Sequence, residues 1–597
     1  MIPRFLARYC YWKTERYVAL VSEPSCRRAI LLSRQINFRL IRLTVIILVL
    51  SLHPRTLYAK KAESSADYCH SSVPANPRAP LVCNPVYHDV SAKRLGDIHP
   101  PTIENKGPRV IHEVRHLPII QTKGAGTDPV VQQTAGAALA TVDSGFEGLG
   151  KGLGYQSSGS PPDTTLAVGP EHFVEWVNTD IAVFDKRTPE KPRYGPVAAN
   201  VLWSDFSASD PKSLAHRCAV NNDGDPIVMF DKIAKRWLFS QFAYVGGPPY
   251  LQCIAVSTSS DPLGTYARYA YVFDLFNDYG KFALWPDGYY ASFNMFANPN
   301  PDGGPKGSQA CAFDRDRMIK GDSALMVCFA LPKFFGLLPA DLDGPTLPNL
   351  EPGATKAPSL FLNMESNGLN VWKLTADWAK PEKSTFVGPS AVSGVQPFAF
   401  SCRSDNSRDP CMTVPQKGST ALLHSMGDRL MYRLSYRNLG DHEALVANHA
   451  VQVNLPAGGS QIAFRWYEIR KNGKTFAVSN SGTYAPDTTS RWMASAAMDK
   501  LGDIALAYSA SSQQEVPSIR YTGREADTKD KVNILGGERV LVAGSASQTI
   551  GAWGDYTTLA LDPSDDCTFW FIGQYLTKND QDSWHTQVST VKFTRCK

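Results

Sequence analysis

The chain has 597 residues, with 61 Lys and Arg against 56 Asp and Glu, a net charge of +5, 43% hydrophobic and 11% aromatic residues, 44 Gly and 42 Pro. So small a net charge, with no basic stripe, excludes nucleic acid as the expected partner. The hydrophobic content allows a large core, and the Gly and Pro counts suit many turns.

Residues 1–59 read as a targeting segment. Arg39 and Arg42 precede the ten-residue apolar run Leu43–Leu52, and Leu57, Tyr58 and Ala59 follow as a small-residue cleavage pattern. That run is too short to span a bilayer, so a cleaved export signal and a secreted or periplasmic mature chain are expected. An uncleaved anchor is the alternative, because the basic lead is long, about forty residues; the lead also allows a translation start downstream of Met1. No later segment is apolar for long enough to cross a membrane. Residues 60–150, poor in aromatics and rich in Ala, Pro, Thr and Val, predict an extended or partly disordered arm.

From 155 to 597 the texture changes to short β-branched and aromatic runs between turn clusters, such as HFVEWVNT, RWLFSQFAYV, LQCIAVSTS and TFWFIGQYL. Asp163 in PPDTTLAVGP, Asp225 in GDPIVMFDK and Asp287 in WPDGYYASFN stand 62 residues apart, and Asp555 in WGDYTTLALDP follows Trp492 of RWMASAAMDK by 63. Such a period predicts an all-β propeller. The 435 residues from Asp163 to Lys597 divide into seven units of about 62, with starts also expected at Ser359–Ser366 and Leu422–Arg433. Six blades are the alternative. The last unit offers only three strands, so the segment before Asp163 is expected to supply a closing fourth.

Ten cysteines follow the leader, and neighbour pairing would clip single loops or blades: Cys69 with Cys83, Cys218 with Cys253, Cys311 with Cys328, Cys402 with Cys411, and Cys567 with Cys596. Their spacing does not suit structural zinc.

A residue at the start of a propeller's inner strand lies at the axial mouth, so Asp163, Asp225, Asp287 and Asp555 are expected to converge as candidate catalytic residues. Convergent carboxylates can act as acid and base on a glycoside, bind a cation or accept sugar hydroxyls. Aspartate before a strand is equally a turn-capping residue. Arg491 and Trp492 stand where other units carry aspartate, Trp285 and Trp553 lie two residues before theirs, and Arg433 falls beside a strand. These five are candidate ligand-binding residues, since Arg binds carboxylates and Trp stacks on sugar rings; tryptophans also fill the wedges between blades. NNDGDP (Asn221–Pro226) has oxygens at alternating positions, which makes Asp223 and Asp225 candidate calcium ligands, although the full twelve-residue loop pattern is missing. No other cofactor is expected. The chain has no Gly-X-Ser-X-Gly elbow, phosphate loop or His-Glu-X-X-His helix, so serine hydrolase, nucleotide and zinc-protease chemistry lack their motifs.

SSDPLGTY (Ser259–Tyr266) resembles an Asp-box turn, and SNGLNVW (Ser366–Trp372) is a weaker copy. With PPDTTLAVGPEHFVEWVN, GDPIVMFD, RWMASAAMD and WGDYTTLALDP, the region 155–597 resembles exported bacterial propellers of the sialidase-like superfamily. The resemblance implies a propeller. A sialidase would also need an arginine triad, a Tyr and Glu nucleophile pair and an acid/base, and no motif here assigns those roles. The expected function is therefore binding of extracellular or envelope glycan or protein at the axial face by a monomer. A glycoside hydrolase using paired rim carboxylates is the alternative.

Overall fold

The structure is a computed structural model that describes residues 13–14, 17–18, 79–99, 115–118, 128–154, 159–300, 302–366, 368–403, 409–455, 458–526, 533–580 and 583–597. Residues 1–63 form one unit, in which Lys13–Thr14 and Tyr17–Val18 pair as a two-stranded ladder; the rest of the expected leader lies outside the described residues. Residues 64–597 form the second unit, which is mostly β. Among the described residues no helix is long and apolar enough to cross a membrane.

The second unit is propeller-like. Its inner strands are Thr164–Val168, Ile227–Asp231, Phe276–Trp285, Leu338–Asp343, Leu434–Asn438, Ser490–Met498 and Thr558–Leu561. Each packs on the next in that order, and the last packs on the first. Each opens an antiparallel meander, because short β-branched and aromatic runs separated by Gly, Asp and Pro turns can pair only with their sequence neighbours. Leu338–Asp343 departs from the pattern by also pairing in parallel with Leu434–Asn438, which fuses two meanders into one curled sheet. The start expected at Ser359 is the second strand of its meander. The true inner strand, LPADLD, has no β-branched residue, and the left-handed residue ahead of it is Gly336 and not an aspartate.

Within the segment expected to be an extended or partly disordered arm, the described residues supply edge strands. Leu81–Cys83 pairs with Met326–Leu331, Tyr87–Val90 with Tyr266–Phe273, and Val131–Gln132 with Thr475–Tyr484. These runs are too short to show a period in sequence, and they are fixed by edges that would otherwise stay unpaired. Thr141–Gly150 pairs with Trp584–Phe593 and gives the last meander its fourth strand, from the segment expected to close it. Ser259–Tyr266 forms the turn between its two flanking strands: Asp261 Oδ1 accepts the Leu263 amide at 2.9 Å, and the Trp237 indole donates to the Ser260 carbonyl at 2.9 Å.

Trp176, Trp237 and Trp372 are buried between sheets. Four of the expected disulfides are present among the described residues: Cys218–Cys253, Cys311–Cys328, Cys402–Cys411 and Cys567–Cys596. Cys83 is also disulfide-bonded, while Cys69 lies outside the described residues.

Where the ring closes, Leu149 and Val588 share a core with Leu166 and Phe173 of the first meander and Trp570 and Trp584 of the last. A buried carboxylate ties the three segments. Glu175 accepts the Leu149 amide at 2.9 Å and the Thr586 hydroxyl at 2.6 Å. Gly148 lies against it, since a Cβ there would fall 2.8 Å from both Glu175 oxygens. Burial pushes the Glu175 carboxyl up to about 7, against the pull of those hydrogen bonds. A folded-state pKa above the unfolded one makes this site most favourable below the unfolded value. The contribution, up to about 3 kcal/mol, is then lost as pH rises to about 7. Thermal unfolding of the parent and Glu175→Gln at pH 4.5 and pH 8 checks this: the variant should gain on the parent as pH rises, and a pH-independent difference would refute the assignment.

Candidate functional site

Each inner strand has a residue in the left-handed region, which lies ahead of the strand in five cases and, for Tyr279 and Met493, at a bulge inside it. Asp163 (φ 43°), Asp225 (φ 53°), Tyr279 (φ 54°), Gly336 (φ 61°), Met426 (φ 51°), Met493 (φ 54°) and Asp555 (φ 30°) take this role in turn. Aspartate is among the residues that tolerate this backbone best. The repeated element is thus the backbone turn, and aspartate fills it in three sheets that are consecutive around the ring, the last, first and second.

Those three aspartates meet on the axis, with one carboxylate oxygen from each lying within 4.8 Å of the others. Asp163 is buried, and Asp225 and Asp555 are partly exposed. Asp163 Oδ2 accepts the Asn178 amide at 2.5 Å, and Asp225 Oδ2 accepts the Tyr279 backbone N–H at 2.7 Å. The Tyr556 hydroxyl donates to the Pro226 carbonyl at 3.0 Å and lies 3.3 Å from Asp225 Oδ1. The Tyr279 hydroxyl donates to the Asp555 carbonyl at 3.0 Å. Lys281, fully buried, holds its ammonium 3.5 Å from the Tyr279 ring centre and 3.8 Å from that of Tyr556, and donates to the Gly280 carbonyl at 3.2 Å. Beside it, Arg429 pairs with Asp428 at 2.7 Å and lies over the Tyr279 ring, and Arg115 pairs with Asp278 at 3.3 Å.

The electrostatics follow from burial. Burial pushes the Asp163 carboxyl well up, and the charges of Asp555 and Asp225 push it further. Asp555 rises to about 7 through burial and then the Asp225 charge, and Asp278 to about 6 by the same causes. Lys281 falls to about 8, because burial outweighs the attraction of Asp225 and Asp555. Such a cluster can hold a cation, share protons or accept hydroxyls.

Asp287 stands apart from it. It sits in the turn beyond Trp285, at the other end of its inner strand, where it accepts the Tyr290 hydroxyl at 2.9 Å. Its 62-residue spacing counts chain length and not position within the meander. Asp223 caps a turn, accepting the Tyr244 amide at 2.7 Å and the Val245 amide at 3.1 Å, while its neighbour Asp225 points into the axial cluster. Arg491 is buried and paired with Asp487 at 2.9 Å and Glu538 at 2.7 Å. Trp492 and Trp553 pack together with ring centres 5.8 Å apart, and the Trp553 indole donates to Ser509. The Trp285 indole donates to the Ala357 carbonyl at 3.0 Å. Arg433 is paired with Asp341 at 2.8 Å and Asp343 at 2.6 Å, beside a cavity of about 40 Å³ lined also by Lys232, Met229 and Leu561. All five candidate ligand-binding residues are therefore buried in the framework, where wedge packing and ion pairing occupy them.

Sequence reading did not single out Asn178, Tyr279, Lys281, Arg429 or Tyr556. Lys281 left one signal, a lone charge inside the apolar stretch YGKFALW. A second group of metal-capable side chains, His116, Cys411 and His424, loses its sulfur to the Cys402 disulfide.

No family model matches the sequence, and no curated protein matches it. Among solved structures, a polysaccharide lyase (ulvan lyase) is similar at 10% identity over 78% of this chain and 95% of its own, with a TM-score of 0.35. Trypanosoma rangeli sialidase is similar at 9% identity over 62% of this chain and 54% of its own, with a TM-score of 0.27. An exo-1,5-alpha-L-arabinanase from a bovine ruminal metagenomic library is similar at 11% identity over 62% of this chain and 95% of its own, with a TM-score of 0.25. At these scores the likeness carries no argument about this chain.

Proposed function

We propose that this chain is an exported seven-bladed propeller that binds extracellular or envelope glycan or protein at the axial end where Asp163, Asp225 and Asp555 meet. The blade count takes the two fused meanders as separate blades, since each has its own inner strand and its own left-handed entry residue. Export is supported by the four disulfides, which persist in oxidising compartments.

The observation that carries the binding reading is the meeting of carboxylates from three consecutive blades on the axis, two of them partly exposed. They form a set of acceptors at the centre of one face. The glycoside hydrolase reading draws support from the raised Asp555 carboxyl, a property of acid catalysts. The burial of Asp163 weighs against it, because cleavage needs two carboxyl groups that flank a sugar and Asp163 is 3% exposed.

A glycan array probed with the purified mature protein, together with Asp225→Asn and Asp555→Asn, tests the choice. Retention of one glycan class should fall at least about tenfold in the variants, following the loss of a hydrogen bond to a charged group worth about 1.5–3 kcal/mol, with no reducing ends released by any form. Turnover by the parent that disappears in Asp555→Asn would establish the hydrolase instead.

A further inference from the structure

We propose that Asp163, Asp225 and Asp555, brought from three blades to one point on the axis, together hold a calcium ion. Three carboxylates alone would not justify this, because acidic residues gather at many protein surfaces. The further observation is what these groups lack. Asp163 is 3% exposed, and its Oδ1 has no hydrogen-bond partner among the described residues; Asp555 Oδ1 is buried in the same condition. The Asn178 amide oxygen, on a residue 1% exposed beside Asp163, is also without a partner among them. Buried acceptors left unsatisfied are costly, and a bound ion removes that cost.

The local cations do not fill the gap. Lys281 is the nearest in chemistry, yet its ammonium is held between the two tyrosine rings and makes no ion pair within 4.0 Å among the described residues. Arg429 is committed to Asp428, and Arg115 to Asp278. Asp163, Asp225 and Asp555 themselves make no ion pair within 4.0 Å among the described residues.

The donor set is all oxygen, which selects a hard cation over a transition metal. Two oxygens on one calcium, at about 2.3–2.6 Å each, can lie at most about 5 Å apart, and the 4.8 Å limit on the three oxygens falls inside that bound. Magnesium dehydrates reluctantly and is usually held through one or two carboxylates, whereas three converge here. The proposal is independent of glycan recognition, because the cation is measured with no glycan present.

The test uses the whole mature protein, stripped with EDTA and titrated with calcium, then with terbium as a luminescent substitute excited through tyrosine. Calcium at about a hundredfold above its Kd should raise Tm by about 2–3 °C, and terbium emission should saturate at one ion, sensitised by Tyr279 and Tyr556. Asp555→Asn should lose at least about tenfold in terbium affinity, the scale of one removed charged ligand. Its Tm in EDTA should equal or exceed the parent's, which shows that it folds. Asp225→Asn serves as the second variant if the first fails to fold, and Asp287→Asn, remote from the axis, should behave as the parent. No calcium-dependent shift, full replacement of calcium by magnesium, or an unchanged response in both folded axial variants would overturn the proposal.

Discussion

Replacing Arg433 by methionine is expected to destabilise the protein by about 3–5 kcal/mol, the cost of stranding buried charge partners. Arg433 is 4% exposed and reaches Asp341 at 2.8 Å, Asp343 at 2.6 Å and the Leu559 carbonyl at 3.2 Å. It therefore holds the fused inner strands Leu338–Asp343 and Leu434–Asn438 to the last meander. Burial alone would push the Asp343 carboxyl up, but Arg433 and Lys232 outweigh it and hold it well below the usual range. A depressed folded-state pKa contributes stability above the unfolded value and loses it as pH falls. The gap between parent and Arg433→Met should therefore be full at pH 7 and narrow toward pH 3. Guanidinium unfolding followed by tryptophan fluorescence measures both. Adding Asp341→Asn to Arg433→Met should recover part of the loss, because one stranded charge is gone. A cost below about 1 kcal/mol would instead describe an arginine free to serve a ligand.

The second large effect concerns ring closure. Leu149 is fully buried between the first and last meanders, on a strand that reaches them from before residue 155. Leu149→Ala should cost about 2–5 kcal/mol, because neither flanking sheet can collapse into the space without breaking its own ladder. The loss should be local before it is global: the strand Thr141–Gly150 should open while the inner strands stay protected, and trypsin should cut the variant first near Lys151. Hydrogen exchange resolves this, with the amides of 141–150 and 584–593 exchanging faster than those of 227–231. Uniform acceleration across all meanders would mean that the closing strand is not a separable unit.

Much of the fold was legible because its determinants are local. Runs such as RWLFSQFAYV and LQCIAVSTS declare strands by composition, and the three-strand last unit pointed to a partner from upstream. The strand Leu338–Asp343 was not legible, since a central strand held by a parallel neighbour and by Arg433 needs no β-branched pattern of its own. The edge strands Leu81–Cys83 and Tyr87–Val90 were hidden for a related reason: their stability comes from edges contributed by residues more than 170 positions away.

By itself the sequence determined most of the strands of the ring, their meander order and the pairing of eight of the ten cysteines, because each depends on residues within about one repeat of one another. It also named Asp163, Asp225 and Asp555. Only the tertiary structure decided that these three meet while Asp287, at the same spacing, lies at the other end of its strand. Chain distance does not record which end of a strand a residue occupies, since insertions of a few residues move a side chain along the axis without changing the count between motifs. The same holds for Lys281, Tyr279 and Tyr556, whose part in the cluster depends on ring closure bringing the last blade beside the first.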